Sequence, residues 1–290
     1  MKPWPRAVAS LVTSLVVACG VTGRSAAPAS PVATATPAFV PTSFGVDVKG
    51  HGRPVILIPG LGAPGAVWDD TVAHWAGRYE THVLTLAGFA GRPAIDAPLS
   101  ATVKDELAKY IVDRKLDHPI VIGHSMGGFI AYWLAATAPD VVGPIVVVDS
   151  APNRPGAPAE KERNARQFRD GILAAPDAEF QAQAHQILAS MAAHPERLEK
   201  FLPAIDKADR RAFASAFYEL MTTDLEPMLP KITARVLVVL ADAPLAPAIT
   251  AMAQAIPHHK IETIAGTKHF VMIDDPDAFY RAVDAFLAQP

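Results

Sequence analysis

Apolar, β-branched runs recur along the chain from residue 55 onward, and most of them stop at a turn-forming residue. Runs without a polar face are typical of strands that are covered on both sides, as in parallel sheets. The last run alternates polar and apolar residues, which is typical of an edge strand. The pattern predicts strands at Val55–Ile58, His82–Leu86, Ile120–Ile122, Ile145–Val148, Val236–Leu240 and Lys260–Ile264.

Helical stretches lie between several of these strands, at 105–113, 126–138 and 276–287. The alternation of strands and helices predicts an α/β fold with a mostly parallel, doubly wound sheet.

One long region, about 152–230, interrupts this rhythm because it contains no convincing strand. Within it, the segment 206–221 places Phe213, Phe217, Leu220 and Met221 on one helical face. We expect a helical cap inserted between two strands. Its apolar face either lines a substrate pocket or packs on the body of the domain.

Composition narrows the class of protein. The chain has 290 residues, a net charge of −3, 50% hydrophobic residues and 19% charged residues. These values exclude disorder over most of the length and argue against a nucleic-acid binder. A single cysteine excludes an intrachain disulfide framework and a Cys-rich zinc site. No phosphate-binding loop or zinc-binding His pair is visible, so we expect no cofactor and no metal.

The N-terminus has the pattern of an export signal. Lys2 and Arg6 precede an uncharged, mostly apolar run at Ala7–Ala18. This run is shorter than the roughly 20 residues that cross a bilayer, so residues 1–18 are predicted to be a signal peptide. Cys19 follows small and aliphatic residues and resembles the lipidated cysteine of a bacterial lipobox. The alternative is an ordinary secretory peptide in which Cys19 has no role.

The segment 19–41 is rich in Ala, Pro, Ser and Thr, and it contains one charged residue, Arg24. Such a composition cannot bury enough apolar surface to fold, and it predicts a linker ahead of a domain at 42–290. We therefore expect an exported protein, periplasmic or membrane-anchored, whose membrane contact is the lipid on Cys19.

The strongest chemical motif is Gly123-His124-Ser125-Met126-Gly127, which fits G-x-S-x-G. It lies directly after a predicted strand and directly before a predicted helix. This context is typical of a nucleophile elbow, where a sharp turn holds the Ser hydroxyl clear of the sheet at a helix N-terminus.

With this elbow, the sequence resembles α/β-hydrolase fold proteins over roughly 44–287. The resemblance implies a catalytic Ser125, followed along the chain by an acid and then a His. The His it implies is His269, in the loop between the last strand and the last helix. Most members carry the acid after the strand that corresponds to 236–241, which implies Asp242. The loop at 241–244 is shorter than usual, and Asp149, after the preceding strand, is the alternative acid.

The resemblance also implies an oxyanion hole, built from two backbone N–H groups. Met126, the residue after the nucleophile, supplies one. Leu61, in the turn Pro59-Gly60-Leu61-Gly62, is the implied second donor. A Pro replaces the His that many members carry in this turn, and the N–H group is unaffected by that change.

These features predict a serine hydrolase that cleaves carboxylic esters through an acyl-enzyme intermediate. The expected partner is a small-molecule acyl substrate, with no nucleic acid. Two alternatives remain: a lactone or amide hydrolase with the same triad, and a non-catalytic binding protein on this scaffold. The sequence leaves the oligomeric state open.

Overall fold

The computed structural model describes residues 39–289. The predicted signal peptide, Cys19 and most of the predicted linker lie outside these residues. Within them, the strands form one seven-stranded sheet with the order β1-β3-β2-β4-β5-β6-β7. All neighbouring strands are parallel except the antiparallel pair β1 and β3. The strands are β1 Phe44–Gly50, β2 Arg53–Ile58, β3 Tyr79–Leu86, β4 Ile120–His124, β5 Ile145–Val148, β6 Val236–Ala241 and β7 His259–Ile264.

The central strands are apolar throughout because both faces of the sheet are covered. In β2, Ile56 and Ile58 contribute to the apolar core on one face, and Val55 and Leu57 contribute to the core on the other. All four side chains are fully buried. The six strands expected from the sequence are confirmed, with β7 at an edge of the sheet.

Helices cover the two faces and fill the interval between β5 and β6. Short 3₁₀ turns accompany them at 65–68, 139–141, 195–201 and 226–231. Among the described residues, no helix is both long and apolar enough to span a membrane. The helices are α1 Asp69–His74, α2 Leu99–Asp113, α3 Met126–Thr137, α4 Pro158–Ala174, α5 Asp177–Ser190, α6 Leu202–Ile205, α7 Arg210–Thr222, α8 Ala246–Ala253, α9 Val271–Asp274 and α10 Pro276–Leu287.

Among the described strands, β1 is the one that the sequence pattern did not predict. Its residues become progressively more exposed towards Gly50, so it lacks the apolar run that marks the buried strands. Glu106 of α2 fixes the chain just ahead of β1. Its carboxylate accepts hydrogen bonds of 2.6–2.8 Å from the backbone N–H and the hydroxyl of both Thr42 and Ser43.

The segment between β5 and β6, which we call the cap, contains α4 to α7. Helix α7 begins at Arg210, four residues later than the predicted segment, because Asp209 caps it by accepting a hydrogen bond from the N–H of Ala212. The cap is tied to the body by Glu219. Its carboxylate accepts the N–H groups of Ser100 and Ala101 at 2.8 and 2.9 Å, at the N-terminus of α2.

Candidate active site

The turn between β4 and α3 has the geometry expected of a nucleophile elbow. Ser125 lies between the strand and the helix with φ 54° and ψ −119°, a strained combination for a residue other than glycine. The turn is held by the N–H of Ser125, which donates to the carbonyl of Val148 at 2.9 Å. Gly127 allows the turn to lie against β2, since a Cβ atom there would overlap the carbonyl oxygen of Ile58.

His269 lies beside the elbow and is bonded to an acid. Its Nδ1 atom is 2.6 Å from Oδ2 of Asp149, and these two side chains are only 18% and 12% exposed. The other carboxylate oxygen of Asp149, Oδ1, accepts the N–H of Ala241 at 3.1 Å. A carboxylate on Nδ1 leaves Nε2 as the imidazole nitrogen that is free to exchange a proton with a serine hydroxyl.

The structure pairs His269 with Asp149 and not with Asp242, which corrects the expected pairing. Asp149 follows β5 directly and adopts φ 45°. Its N–H bonds the carbonyl of Val239 at 2.8 Å, which holds it against β6. Asp242, one residue beyond the end of β6, is exposed and lines the same cavity.

Asp149 is held in its ionised form. Burial alone would raise the pKa of this carboxyl, and the hydrogen bond from His269 and the charge of that imidazole oppose the rise. With the Ala241 N–H added, the pKa of Asp149 lies below its ordinary value of 3.8. Asp149 therefore carries a negative charge at any pH at which the imidazole of His269 is neutral and able to act as a base.

His124, inside the elbow, supports the loop that carries His269. Its Nε2 atom is 2.9 Å from the carbonyl oxygen of His269, so Nε2 carries the proton and donates it. Complete burial, together with the neighbouring His269, lowers the pKa of His124 to about 3. His124 is consequently neutral at ordinary pH, and it acts on the site through the backbone of the loop.

The two implied oxyanion donors lie at turns beside Ser125. Met126 is the first residue of α3, and the N–H of a first helical residue has no partner within its helix. Leu61 lies in the turn after β2 and lines the same cavity as Ser125. This turn approaches the nucleophile closely: a Cβ atom on Gly60 would lie 3.2 Å from Cβ of Ser125.

Ser125, Asp149 and His269 face a common cavity of about 730 Å³ beneath the cap. Three residues of the predicted apolar face on α7, Phe213, Phe217 and Leu220, line it. Other apolar lining residues come from the rest of the cap and from the body of the domain, among them Phe168, Phe180, Ile187, Leu188, Met191, Leu61, Leu245, Ile249 and Phe270. Among residues 39–289, no cluster of three or more His, Cys, Asp or Glu side chains could hold a metal ion.

The sequence profile of the Alpha/beta hydrolase family matches residues 55–282, from β2 into α10. The chain belongs to this family. Membership confirms the fold class expected from the alternating strands and helices. This family member carries its helical cap between β5 and β6.

The chain is 32% identical over 111 residues to the pimeloyl-(acyl-carrier protein) methyl ester esterase of Aliivibrio salmonicida. That alignment covers 38% of this chain and 41% of the relative, so the chain matches about two fifths of the relative's length. A thermophilic esterase from Thermogutta terrifontis has a TM-score of 0.72 at 24% identity, covering 84% of this chain and 92% of that chain. An enol-lactonase from Burkholderia xenovorans has a TM-score of 0.72 at 21% identity, covering 85% and 96%. The two structural similarities show the shared fold alone.

Two basic residues of the cavity wall were not predicted from the sequence. Arg154 lies in the loop after β5, and Lys268 immediately precedes His269. Lys268 is exposed, and its ammonium donates to the carbonyl of Ser190 at 3.2 Å. For Arg154 the local sequence offered no signal, because its place in the wall depends on the packing of the cap.

Proposed function

We propose that this protein is a serine hydrolase that cleaves carboxylic esters, with Ser125 as the nucleophile, His269 as the base and Asp149 as the acid. The observation that carries the proposal is the 2.6 Å hydrogen bond between His269 and Asp149, beside a strained Ser at a strand-to-helix turn. A buried carboxylate, an imidazole and a serine that line one cavity are the arrangement that acyl transfer requires.

In the first half of the reaction, the Ser125 hydroxyl adds to the ester carbonyl carbon and its proton passes to Nε2 of His269. The resulting imidazolium is stabilised by the Asp149 carboxylate. The N–H groups of Leu61 and Met126 stabilise the negative charge on the carbonyl oxygen, and each such donor contributes about 3 kcal/mol. The C–O bond to the alcohol then breaks, and the alcohol leaves with the proton from His269.

In the second half, water takes the place of the alcohol. His269 removes a proton from water, and the hydroxide adds to the acyl-enzyme carbonyl. Collapse of this intermediate breaks the bond to Ser125, and the serine oxygen recovers the proton. The net change is one ester and one water converted to one carboxylic acid and one alcohol.

The test is labelling of residues 42–290 with a fluorophosphonate, followed by mapping of the modified residue by mass spectrometry. We expect labelling at Ser125 and its loss in the His269→Ala variant, because the base activates the hydroxyl. His118→Ala is the matched control, since His118 is exposed and its side chain, among residues 39–289, bonds only its neighbour Asp117. A folded protein that remains unlabelled would favour the non-catalytic scaffold instead.

We also propose that the protein is exported and anchored through a lipid on Cys19. The support is the sequence of residues 1–19, with its basic start, short apolar run and cysteine. We expect Cys19→Ser to move the protein from the membrane fraction to the soluble fraction without loss of ester hydrolysis. Recovery of the unaltered protein in the soluble fraction would contradict the anchor.

A further inference from the structure

Arg154 places a cation in the wall of a cavity whose lining is mostly apolar. It lies in the loop between β5 and α4, and its side chain lines the cavity together with Ser125 and His269. Lys268, the other basic residue of the wall, is exposed and is bonded to Ser190.

No carboxylate in the described part of the chain is paired with Arg154, which takes part in none of the ion pairs found there. Its Nε atom is buried and has no hydrogen-bond partner among the described residues. Each acid of the cavity wall either bonds a histidine or is exposed to solvent, so none of them neutralises Arg154. Asp149 bonds His269, Asp206 bonds His185 at 2.6 Å, and Asp242 is exposed.

The environment of Arg154 opposes its charge. Burial lowers the pKa of the guanidinium from its ordinary value, and the charge of Asp149 partly offsets this effect. Arginine nevertheless stays protonated in proteins. The result is a partly buried cation whose buried Nε donor has no partner among the described residues, and such a group gains from an anion that reaches it.

The loop that carries Arg154 is fixed before any ligand binds. The backbone N–H of Arg154 donates to Oδ1 of Asn153 at 2.8 Å, and the same oxygen accepts from Nζ of Lys161 at 2.6 Å. The amide of Asn153 donates to Glu226 at 3.2 Å. A guanidinium on a pre-ordered loop loses less entropy on binding than one on a free loop.

We propose that Arg154 binds a carboxylate of the substrate, so that the preferred substrates are esters that carry a free carboxylate apart from the reacting ester. The planar fork of N–H groups matches a carboxylate, and the apolar side chains of the cavity wall suit a hydrocarbon chain. Monoesters of dicarboxylic acids meet both requirements, and hydrolysis converts them to a dicarboxylate and an alcohol. This proposal rests on the proposed ester hydrolysis.

The test compares mono-4-nitrophenyl esters of dicarboxylic acids with the same esters in which the free carboxylate is methylated, over a series of chain lengths. For wild-type protein we expect a higher kcat/KM for the charged ester at one or more lengths. In Arg154→Gln the ratio of charged to neutral kcat/KM should fall about 10- to 100-fold, the range for a hydrogen bond to a charged group. Arg154→Lys, which keeps the charge without the fork, should give an intermediate ratio.

The matched control is Arg163→Gln, because Arg163 is an exposed cap arginine that bonds the carbonyl of Ala159 in its own helix. It should leave the ratio unchanged. A wild-type preference for the neutral esters would overturn the proposal, as would an equal loss on both substrates in Arg154→Gln.

A binding measurement separates this proposal from the proposed function. Calorimetry with the free dicarboxylates should detect binding to wild type and to Ser125→Ala, and much weaker binding to Arg154→Gln. Binding that depends on Arg154 without any ester hydrolysis would support the carboxylate site and contradict the proposed function. Ester hydrolysis without a charge preference and without dicarboxylate binding would support the proposed function and contradict the carboxylate site.

Discussion

Replacement of Asp149 by Asn tests the identity of the acid, because the change keeps the shape of the side chain and removes its charge. In one orientation, the amide oxygen keeps the bond to Ala241 and the NH₂ group points at Nδ1 of His269. The imidazole must then carry its proton on Nε2, where it cannot accept the proton of Ser125. In the other orientation, the NH₂ group faces the N–H of Ala241, and two donors oppose each other.

Neither orientation satisfies both hydrogen bonds of Asp149, which are 2.6 and 3.1 Å long. A wrong imidazole tautomer costs about 10³- to 10⁴-fold in kcat in serine hydrolases, or about 4–5 kcal/mol of activation free energy. We expect a loss of this size in Asp149→Asn. Asp242→Asn, at an exposed position, should change kcat less than about 3-fold.

The assay is steady-state hydrolysis of a 4-nitrophenyl ester by the two variants and the wild type. Urea unfolding of each protein verifies that the comparison is between folded enzymes. A large loss in Asp242→Asn with little change in Asp149→Asn would refute the assignment and return the acid to the position after β6. Equal and small effects in both variants would mean that His269 works without an acid.

Three further predictions concern the fold. Gly127→Ala should lower the free energy of unfolding by about 1–3 kcal/mol and lower kcat for ester hydrolysis, since the new methyl group would overlap the carbonyl of Ile58. Urea unfolding measures the first effect, and steady-state kinetics measures the second. Glu106→Ala should cost about 2 kcal/mol in urea unfolding without lowering kcat, because it removes the four hydrogen bonds ahead of β1. Acidification should also destabilise the protein. For both Asp149 and Glu106, burial works against ionisation, but hydrogen bonds lower the pKa below the ordinary values of 3.8 and 4.5. Their stabilising contribution is therefore complete above those values and is lost as the pH falls through the lower native pKa, so urea midpoints should drop in this range and drop less in Asp149→Asn.

Much of the fold could be predicted because the buried strands are apolar on both faces, which is a property of the sequence itself. Strand β1 could not be predicted in this way, since most of its side chains are exposed. It is held by its backbone pairing with β3 and by the carboxylate of Glu106, which lies more than sixty residues away in the chain. Contacts between residues so far apart in the chain produce no periodic pattern of apolar residues in the local sequence.

The candidate site divides in the same way. Ser125 and His269 were predicted from motif and loop position. The choice between the two acids depends on tertiary contacts, which the local sequence does not reveal. Asp149 and Asp242 follow adjacent parallel strands and reach the same edge of the sheet. The positive φ of Asp149 and its bond to Ala241 decide which carboxylate meets the imidazole.

Arg154 was not predicted because its burial depends on how the cap packs over the loop after β5. A loop arginine followed by proline and glycine is ordinarily a solvated surface residue, and nothing in its immediate sequence distinguishes it.

The register of the antiparallel strand bears on how the protein can be attached to a surface. Phe44 pairs with Leu86, so β1 begins at the carboxyl end of the parallel strands, the edge that also carries the nucleophile. The last helix returns to the opposite edge, where Arg235, just before β6, donates to the carbonyls of Phe286 and Gln289. A biosensor chip or affinity bead coupled through the C-terminal residues would therefore leave the cavity edge facing the solution. Coupling through residues 39–41 would turn that edge towards the support and slow the entry of bulky ligands.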